Sequence, residues 1–557
     1  MIEERAPRLA AAITWIVTTL FFVVALVLAV VIPIHAQDAL TFGEWSRLIA
    51  QHWHLHYAAA TAQEYGRPLF YVLQGWLWGV LGFGEPSGRV LSLLFSLLFF
   101  GSVVWLVRAE RDWARLAGLL AAVAVLAIPV FAVNVSSGLT DIPVAALVAL
   151  AGALVWQRRP GPPRAVGIAI VAALAMLAKP SALLALVGLA IAQLPLNESW
   201  RGRLVYRIGP LAAGIGLGLV YDETQARDAH QNLRTFLQAG VNTDYYRTLA
   251  DEARRYALLD AGWFGDGLRV AILFALVYTV LRLVGVGHRL CVAVGAPLAL
   301  LGSWLGPWIA AREGDVTVGS LHSAGAAATA VGTALFLSGG VLSFREAIPD
   351  RGELFRFALW VLPTAVAWAV YGAYDFRLLA PGWPPLLALL VLAALPAGSA
   401  LARRGAPLLA LPFALFAIVI ATNVYNLDGL QKSGWRQLRA TDDWLDRDAT
   451  REIVLPALSR ALVVVRRQMR PGDDLVSPEG AFRFYFPGHV EQSYPNNCEF
   501  LHRFRVFVLT TDEGSKRYMK DFLHVSPEPS FWAACKMPRL TQLTSGADGY
   551  AVFRIER

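Results

Sequence analysis

The chain has 557 residues, of which 56% are hydrophobic and only 16% are charged, and its mean hydropathy is +0.50. This composition excludes an ordinary soluble protein and predicts that lipid surrounds most of the chain. The formal net charge of +8 does not indicate a nucleic-acid-binding protein, because the basic residues lie in loops between apolar runs rather than along one continuous stripe.

Apolar runs of membrane-spanning length recur from Ile13 to Thr422 and stop beyond Tyr425. This pattern predicts an α-helical polytopic membrane domain over residues 1–424, with about 13 transmembrane helices. We expect the first span to be retained and not cleaved as a signal peptide, because its apolar stretch is longer than a signal core. The predicted spans are 12–33, 88–107, 115–133, 140–156, 165–178, 182–195, 208–221, 267–285, 290–310, 321–343, 357–372, 382–399 and 406–423.

The positions of the arginines predict the orientation of these spans. Arginines cluster at the N-terminus and in every second loop, for example at 108–115, 158–164 and 201–207, and such loops usually face the cytoplasm. An odd number of spans then places the C-terminus outside. The marked preference for arginine over lysine is typical of GC-rich bacteria, so we expect a multi-pass protein of the bacterial plasma (inner) membrane.

Two of the loops predicted to be external are long, residues 34–87 and 222–266. Both carry aromatic and apolar residues at helical spacing among charged residues, which predicts interfacial helices lying on the membrane surface. Solvated linkers are the alternative, but the tryptophans of these loops favour the interfacial helices. Such helices can frame a cavity at the interface.

Residues 425–557 follow a different pattern, which predicts a small extracytoplasmic α/β domain. Its two cysteines, Cys498 and Cys535, lie in a compartment where thiols are oxidised, so we expect them to form a disulfide. The predicted elements are helices at 457–469 and 516–522 and strands at 474–476, 504–510 and 550–555.

Two acids stand at the predicted external ends of spans. Asp38 follows the first span, and Asp141 follows the short loop between the third and fourth spans and precedes Ile142-Pro143. Each acid has a simple structural alternative, because a carboxylate in a first helical turn often only caps the helix. The functional alternative is a pair of carboxylates at one membrane face.

Three cations occur on the same predicted face. Lys179 is the only lysine before Lys432 and interrupts two apolar stretches at Ala178-Lys179-Pro180. Its structural alternative is snorkelling from a helix end, whereas a compact ammonium at this turn would also suit a phosphate group. Arg67, in Tyr65-Gly66-Arg67-Pro68, and Arg377, in Asp375-Phe376-Arg377-Leu378, also lie next to prolines on external loops.

The order of these features resembles the C-type, lipid-donor glycosyltransferases, in the branch that contains the protein O-mannosyltransferases and the lipid A aminoarabinose transferases. The resemblance covers roughly residues 10–420 and rests on the succession of several short motifs on external loops. These are the first-loop acid, Tyr65-Gly66-Arg67-Pro68-Leu69-Phe70-Tyr71, Gly82-Phe83-Gly84-Glu85 with Arg89, Thr140-Asp141, Ala178-Lys179-Pro180 and Arg377-Leu378-Leu379-Ala380-Pro381. One departure is that Ala39 follows Asp38, where family members often have a second acid.

The resemblance implies that Asp38 is the catalytic base and Asp141 the second-loop acid. It implies that Arg67, Lys179 and Arg377 contact the lipid phosphate. Tyr71 and Tyr374 lie in the same motifs as the two arginines and are assigned to substrate binding with them. The implied reaction is the transfer of a sugar from a polyprenyl-phosphate-linked donor to an acceptor hydroxyl on the external face.

This chemistry needs no certain cofactor, because polyprenyl phosphate is a good leaving group once cations stabilise it. A carboxylate takes the proton of the acceptor, and a single displacement inverts the anomeric centre. A divalent metal is left open by His52, His54 and His56, which lie close together near Glu44 and Glu64.

The alternative function is a multi-span transporter, or a flippase of a lipid-linked sugar or oligosaccharide. Transporters usually show internal repeats and charges within the spans, whereas the polar residues here lie at helix ends and no repeat is found. The expected partners are the lipid-linked donor, membrane lipids and an acceptor lipid, glycan or protein, with no nucleic acid.

Overall fold

The computed structural model describes a helical membrane part and a C-terminal α/β part, together with isolated residues such as Gly43, Ser46, Arg115 and Arg451. The continuous described ranges are 68–81, 85–108, 140–156, 161–196, 198–224, 351–370, 380–389, 456–479, 481–486, 489–493, 495–511, 525–547 and 549–556.

Helices make up the membrane part within these ranges. Gly88–Leu106 and Trp200–Thr224 are long and apolar enough to cross a bilayer by length and composition, with mean hydropathies of 2.0 and 1.4. The predicted spans between 88 and 221 that reach the described residues coincide with helices, and the total of about 13 stays a prediction. The helices are α1 (Pro68–Leu81), α2 (Glu85–Leu106), α3 (Asp141–Val155), α4 (Pro162–Ala178), α5 (Ala182–Ile191), α6 (Trp200–Thr224, with a π turn at Leu204–Ile208), α7 (Arg351–Val370) and α8 (383–389).

Helix α3 runs antiparallel to α4 and to α6. The first residue of α3, Asp141, contacts Lys179, which directly follows the last residue of α4. At the other end of α3, the carbonyl oxygen of Val155 accepts a hydrogen bond from Arg207, near the start of α6. The first contact places the start of α3 beside the end of α4, as the short loop between these two helices requires, and the second places the end of α3 beside the start of α6. We call the two ends of the bundle the Lys179 end and the Arg207 end.

Small residues allow the helices to approach closely. α3 is buried on nearly all sides, and a Cβ atom added to its Gly152 would overlap the Trp360 ring of α7. A Cβ on Gly188 of α5 would overlap the backbone carbonyl oxygen of Trp360, and one on Gly214 of α6 would overlap that of Ala169 in α4. In lipid the hydrophobic effect does not drive helices together, so they usually associate by close backbone approach through small residues.

At the Arg207 end, arginines join the helix ends through an ion pair, hydrogen bonds and a cation–π contact. Arg207 donates from Nε and Nη2 to the two carboxylate oxygens of Glu198 at 3.0 and 2.6 Å. Arg356 of α7 lies 4.0 Å from the ring centroid of Trp156 and donates to the Gln193 side chain at 2.9 Å. Each arginine therefore joins two or more helix ends, and a fork-shaped guanidinium suits such bridging.

The C-terminal part contains a five-stranded mixed sheet. Its strand order is β2-β1-β3-β5-β4, with β1 parallel to β2 and β3, and β5 antiparallel to β3 and β4. The elements are α9 (Pro456–Gln468), β1 (Leu475–Ser477), α10 (Ala481–Tyr485), β2 (Val490–Gln492), a 3₁₀ turn (Glu499–Arg503), β3 (Val506–Thr510), α11 (Pro529–Ala533), β4 (Arg539–Gln542) and β5 (Tyr550–Glu556).

Both faces of this sheet are covered. Val506 and Val508 of β3 pack into one cluster with α9, while Phe507 and Leu509 pack into another with Trp532 of α11. Alternate residues of a strand point to opposite faces, so a strand covered on both sides is buried throughout, as β3 is. The first cluster continues into the membrane helices, which joins the two parts of the chain.

The structure confirms the predicted disulfide between Cys498 and Cys535, whose Cα atoms are 5.9 Å apart. It also confirms a helix at Pro456–Gln468 and strands at Leu475–Ser477, Val506–Thr510 and Tyr550–Glu556. The sequence analysis missed β2 and β4, which are edge strands whose partly exposed residues form no continuous apolar run, unlike the fully buried β1.

Candidate functional site

The Lys179 end contains a buried ion pair between two of the predicted site residues. Lys179 Nζ donates a hydrogen bond of 2.5 Å to Asp141 Oδ1. Asp141 is 3% exposed and Lys179 is 7% exposed, so neither charge is solvated by bulk water. The two residues are 38 positions apart in the chain, and the antiparallel packing of α3 on α4 brings them together.

The backbone around Lys179 explains why its side chain stays at this end of the bundle. Lys179 follows the last residue of α4 and has extended backbone angles, φ −164° and ψ 127°, as expected for a residue before proline. Its amide donates to Ala175 and its carbonyl accepts from Ala182, so the turn into α5 is closed on both sides. Lys179 is thus held at the tip of a tight helical hairpin.

The ion pair argues against simple snorkelling of Lys179, while Asp141 lies in the first turn of α3, as its structural alternative also requires. A snorkelling lysine would place its ammonium in water, but the Lys179 side chain is only 8% exposed and meets a carboxylate instead. The N-cap residue of α3 is Thr140, one residue before Asp141. A buried charge needs a partner, because losing hydration without one costs several kcal/mol. Asp141 is that partner for Lys179.

Two further buried polar residues flank the pair. Thr140 precedes Asp141, and Ser181 follows Lys179 by two residues at the start of α5. Ser181 Oγ is buried and meets no hydrogen-bond partner among the residues that the structure describes. A buried hydroxyl in that condition commonly marks a place where water or a ligand completes the hydrogen bonding.

Helix α1 brings the segment after the predicted Arg67 into this bundle. Tyr71 is fully buried in α1, and α1 packs against both α2 and α4. Farther along the same helix, Gln74 Oε1 accepts a hydrogen bond of 3.0 Å from Ser46 Oγ, and the Trp78 ring lies against Phe484 of the C-terminal part. The predicted first external loop therefore contributes a helix that is packed in the molecule.

Four of the predicted site residues, Asp38, Arg67, Tyr374 and Arg377, lie outside the described residues. Their convergence on one cavity stays a prediction, with limits set by the covalent chain. Arg67 directly precedes Pro68, so its Cα lies about 3.8 Å from the start of α1. The structure brings together Asp141 and Lys179 and places Tyr71 on a helix that contacts the helix before Lys179.

Metal-ligating residues form no group of three or more within the described parts of the chain. His52, His54 and His56 lie outside those parts. The residues that would hold a metal thus remain those proposed from the sequence.

Sequence reasoning missed two features of this region. Arg89 is fully buried near the start of α2. The sequence analysis includes it only within a motif, although an arginine in an otherwise apolar membrane helix indicates a functional position by itself. Phe484 was not noticed because nothing local indicates that a residue of the C-terminal part contacts α1.

Comparison with known proteins gives similarities only among solved structures. No protein-family model and no curated protein sequence matches the chain. The chain is similar to the crystal structure of ArnT from Cupriavidus metallidurans in the apo state, with a TM-score of 0.44 and 15% identity over 98% of each chain. It is also similar to the crystal structure of the same protein bound to undecaprenyl phosphate, with a TM-score of 0.42 and 15% identity over 97% of each chain. ArnT is a lipid A aminoarabinose transferase, which belongs to the branch that the residue order resembles.

Proposed function

We propose that the protein transfers a sugar from a polyprenyl-phosphate-linked donor to an acceptor hydroxyl at the external face of the membrane, with inversion of the anomeric centre. The observation that carries this proposal is the buried Asp141–Lys179 ion pair at the tip of the α4–α5 hairpin. In this proposal, the lysine held in this way supplies a fixed positive charge at a helix end for the phosphate of the lipid-linked donor.

In the proposed reaction, the acceptor oxygen forms a bond to the anomeric carbon while the bond from that carbon to the phosphate oxygen breaks. Asp38 takes the proton of the acceptor hydroxyl, and polyprenyl phosphate leaves with the bonding electrons. The cations Arg67, Lys179 and Arg377 stabilise the charge that grows on the departing phosphate. Tyr71 and Tyr374 bind the donor beside them.

Asp141 has the role of holding Lys179 in this scheme. Its carboxylate stabilises the ammonium in an apolar surrounding and fixes the direction of Nζ. Fixed charges need no reorganisation as the bond breaks, which is why preorganised cations lower the barrier more than mobile ones. Ser181 Oγ, buried two residues from Lys179, is a candidate donor to the same phosphate.

The arginines at the Arg207 end are a useful contrast. Arg207 is bound by both oxygens of Glu198 and by the Val155 carbonyl, and Arg356 bridges Trp156, Ala192 and Gln193. These contacts join helix ends, so the arginines are accounted for by the packing of the bundle. The bundle thus has one charged pair at each end, and only the pair at the Lys179 end is proposed to serve the reaction.

The test compares two double variants that remove one charge pair each. Lys179→Met with Asp141→Asn neutralises the pair at the Lys179 end, and Arg207→Met with Glu198→Gln makes the matched change at the other end. Replacing both partners avoids a stranded buried charge, which would destabilise the protein by roughly 3–5 kcal/mol. Donor binding and sugar transfer are then measured on purified protein in nanodiscs.

We expect the variant at the Lys179 end to lose transfer by about 100-fold or more and to bind the donor more weakly. The variant at the Arg207 end should keep transfer within about threefold of wild type if it folds. Near-normal transfer by the first variant would show that the Asp141–Lys179 pair is structural.

A further inference from the structure

We infer that the C-terminal domain positions the segment that carries Asp38, through contact of Phe484 with Gly43 and Trp78. This inference rests on the proposed function, because it gives Phe484 and Gly43 a role through Asp38 and not by contact with substrate. Both are positioning residues in this sense.

Gly43 is enclosed between the two parts of the chain. It is helical and buried, and a Cβ atom added to it would lie 2.8 Å from Cδ2 and Cε2 of Phe484 and 3.3 Å from Cη2 of Trp78. The shorter distance is below any normal carbon–carbon contact, so this position accepts only glycine while Phe484 keeps its place. The lack of a side chain at Gly43 is what allows the ring of Phe484 to reach the backbone of this segment.

A second contact attaches the same segment to α1. Ser46 Oγ donates a hydrogen bond of 3.0 Å to Gln74 Oε1, and both residues are buried. Ser46 and Gly43 are three residues apart on one helical face, and Gln74 and Trp78 are four apart on one face of α1. Two attachments at this spacing fix both the position and the rotation of the segment against α1.

Phe484 belongs to a short helix that is packed into the C-terminal domain. It lies in the short helix α10, where Phe482 packs edge-to-face on Tyr550 of β5 with ring centroids 5.7 Å apart. Residues two positions apart on a helix point in nearly opposite directions, so Phe482 enters the sheet core while Phe484 faces α1. The Phe484 and Trp78 ring centroids are 6.5 Å apart, within the range of favourable aromatic pairs.

The covalent chain then links this contact to the proposed base. Asp38 precedes Gly43 by five residues, and five residues of extended chain span at most about 18 Å. In this proposal, a displacement of the backbone at Gly43 acts on Asp38 through the five-residue connection. Misplacing a catalytic group by about 1 Å can lower turnover by about 100-fold, even when the change lies away from the reacting atoms.

The experiment is a double-mutant cycle on Gly43 and Phe484, read as turnover at saturating donor and as donor affinity. Gly43→Ala should lower kcat by about tenfold or more, because the new methyl group displaces Phe484 or the segment. Phe484→Ala should lower kcat by about threefold to tenfold, and the conservative Phe484→Leu by less. Donor affinity should stay within about threefold in each variant, because the proposed phosphate contacts lie elsewhere.

The decisive variant combines both changes. Phe484→Ala removes the ring that an alanine at position 43 would strike, so the double variant should be no slower than Phe484→Ala alone, and faster than Gly43→Ala. Two controls should keep kcat within about twofold: Gly101→Ala in α2, where an added Cβ meets no described atom within 4 Å, and Phe531→Ala, whose side chain is exposed on the C-terminal domain.

The outcomes separate this inference from the proposed function. If wild-type protein transfers sugar and the two single effects multiply in the double variant, the positioning role is wrong and the proposed function stands. Unchanged kcat in Gly43→Ala has the same meaning. If wild-type protein transfers no sugar, the proposed function is wrong, and the positioning of Asp38 as a base falls with it.

Discussion

At the scale of single residues, the proposed reaction needs one carboxylate that accepts a proton and several cations that stabilise a leaving phosphate. These requirements differ in when they act. Proton transfer matters only as the new bond forms, whereas a cation on the phosphate acts in the bound donor and more strongly in the transition state. Substitutions of the two kinds should therefore change different kinetic constants.

Asp38→Asn tests the proton-accepting role. Asparagine keeps the shape and most of the polarity of aspartate but does not accept a proton as a carboxylate does, so turnover should fall by roughly 100-fold or more while donor binding changes little. The matched control is Asp474→Asn, a change at a half-exposed carboxylate of the C-terminal domain that should leave turnover unaltered. Near-wild-type turnover in Asp38→Asn would mean that Asp38 is not the base and only caps a helix.

Asp141 and Lys179 were both selected from the sequence, and their assignment to one face of the membrane placed them near each other. Their direct ion pair was not predicted. The reason is that membership of one face follows from counting spans, whereas a bond between two side chains depends on how far α3 and α4 slide and rotate against each other. That register depends on tertiary packing, which sequence patterns do not disclose.

At the scale of helices and strands, close packing at glycine determines which positions tolerate change. α5 and α7 meet where Gly188 faces the backbone of Trp360, and backbone atoms have less freedom to move aside than the end of a side chain. Gly188→Ala should therefore lower the free energy of unfolding, by about 1–3 kcal/mol.

Thermal denaturation of purified protein in one detergent provides the measurement. Gly101→Ala in α2 is the control, since an added Cβ there has open space among the described atoms and alanine favours a helix. An equal melting temperature for Gly188→Ala and wild type would contradict the close contact between Gly188 of α5 and the Trp360 backbone of α7.

The Cys498–Cys535 disulfide joins the 3₁₀ turn before β3 to the region between α11 and β4 across 37 residues. Cys498→Ser with Cys535→Ser should destabilise the C-terminal domain by about 2–4 kcal/mol, because the unfolded chain regains the freedom that the loop removes. Urea denaturation followed by limited proteolysis of the domain would measure this loss. A midpoint unchanged by the double substitution, or by reduction of wild type, would contradict it.

The elements of the molecule were predictable to very different degrees. Long apolar helices and the central strands β1, β3 and β5 have strong patterns, because burial on several sides demands continuous apolar residues. The edge strands β2 and β4 are short and partly polar, and the contact of Phe484 with Gly43 joins distant parts of the chain. Such features depend on tertiary packing, for which local sequence carries no signal.

At the scale of the whole molecule, the proposed reaction requires that the Lys179 end and the C-terminal domain share the external side of the membrane. The prediction rests on arginine-rich loops at the opposite side and on an odd number of spans. A phosphatase reporter that is active only after export should be active when fused after Arg557 and inactive when fused in the loop at 158–164. The reverse pattern would overturn the orientation.

The whole molecule also has to be distinguished from a transporter or a flippase, which would use the same membrane part without breaking a bond in the lipid-linked sugar. The buried pair at a helix end agrees with either class, so geometry alone does not separate them. Chemistry does, because only a transferase converts the donor into free polyprenyl phosphate.

The central claim is therefore tested most directly by following a labelled polyprenyl-phosphate sugar with the purified protein in nanodiscs, where no second compartment exists. We predict that free polyprenyl phosphate and glycosylated acceptor appear in equal amounts, and that both disappear in Asp38→Asn protein that still binds the donor. Donor that is bound but stays chemically intact, with acceptor present in a cell-envelope extract, would contradict the account and favour a transporter or flippase.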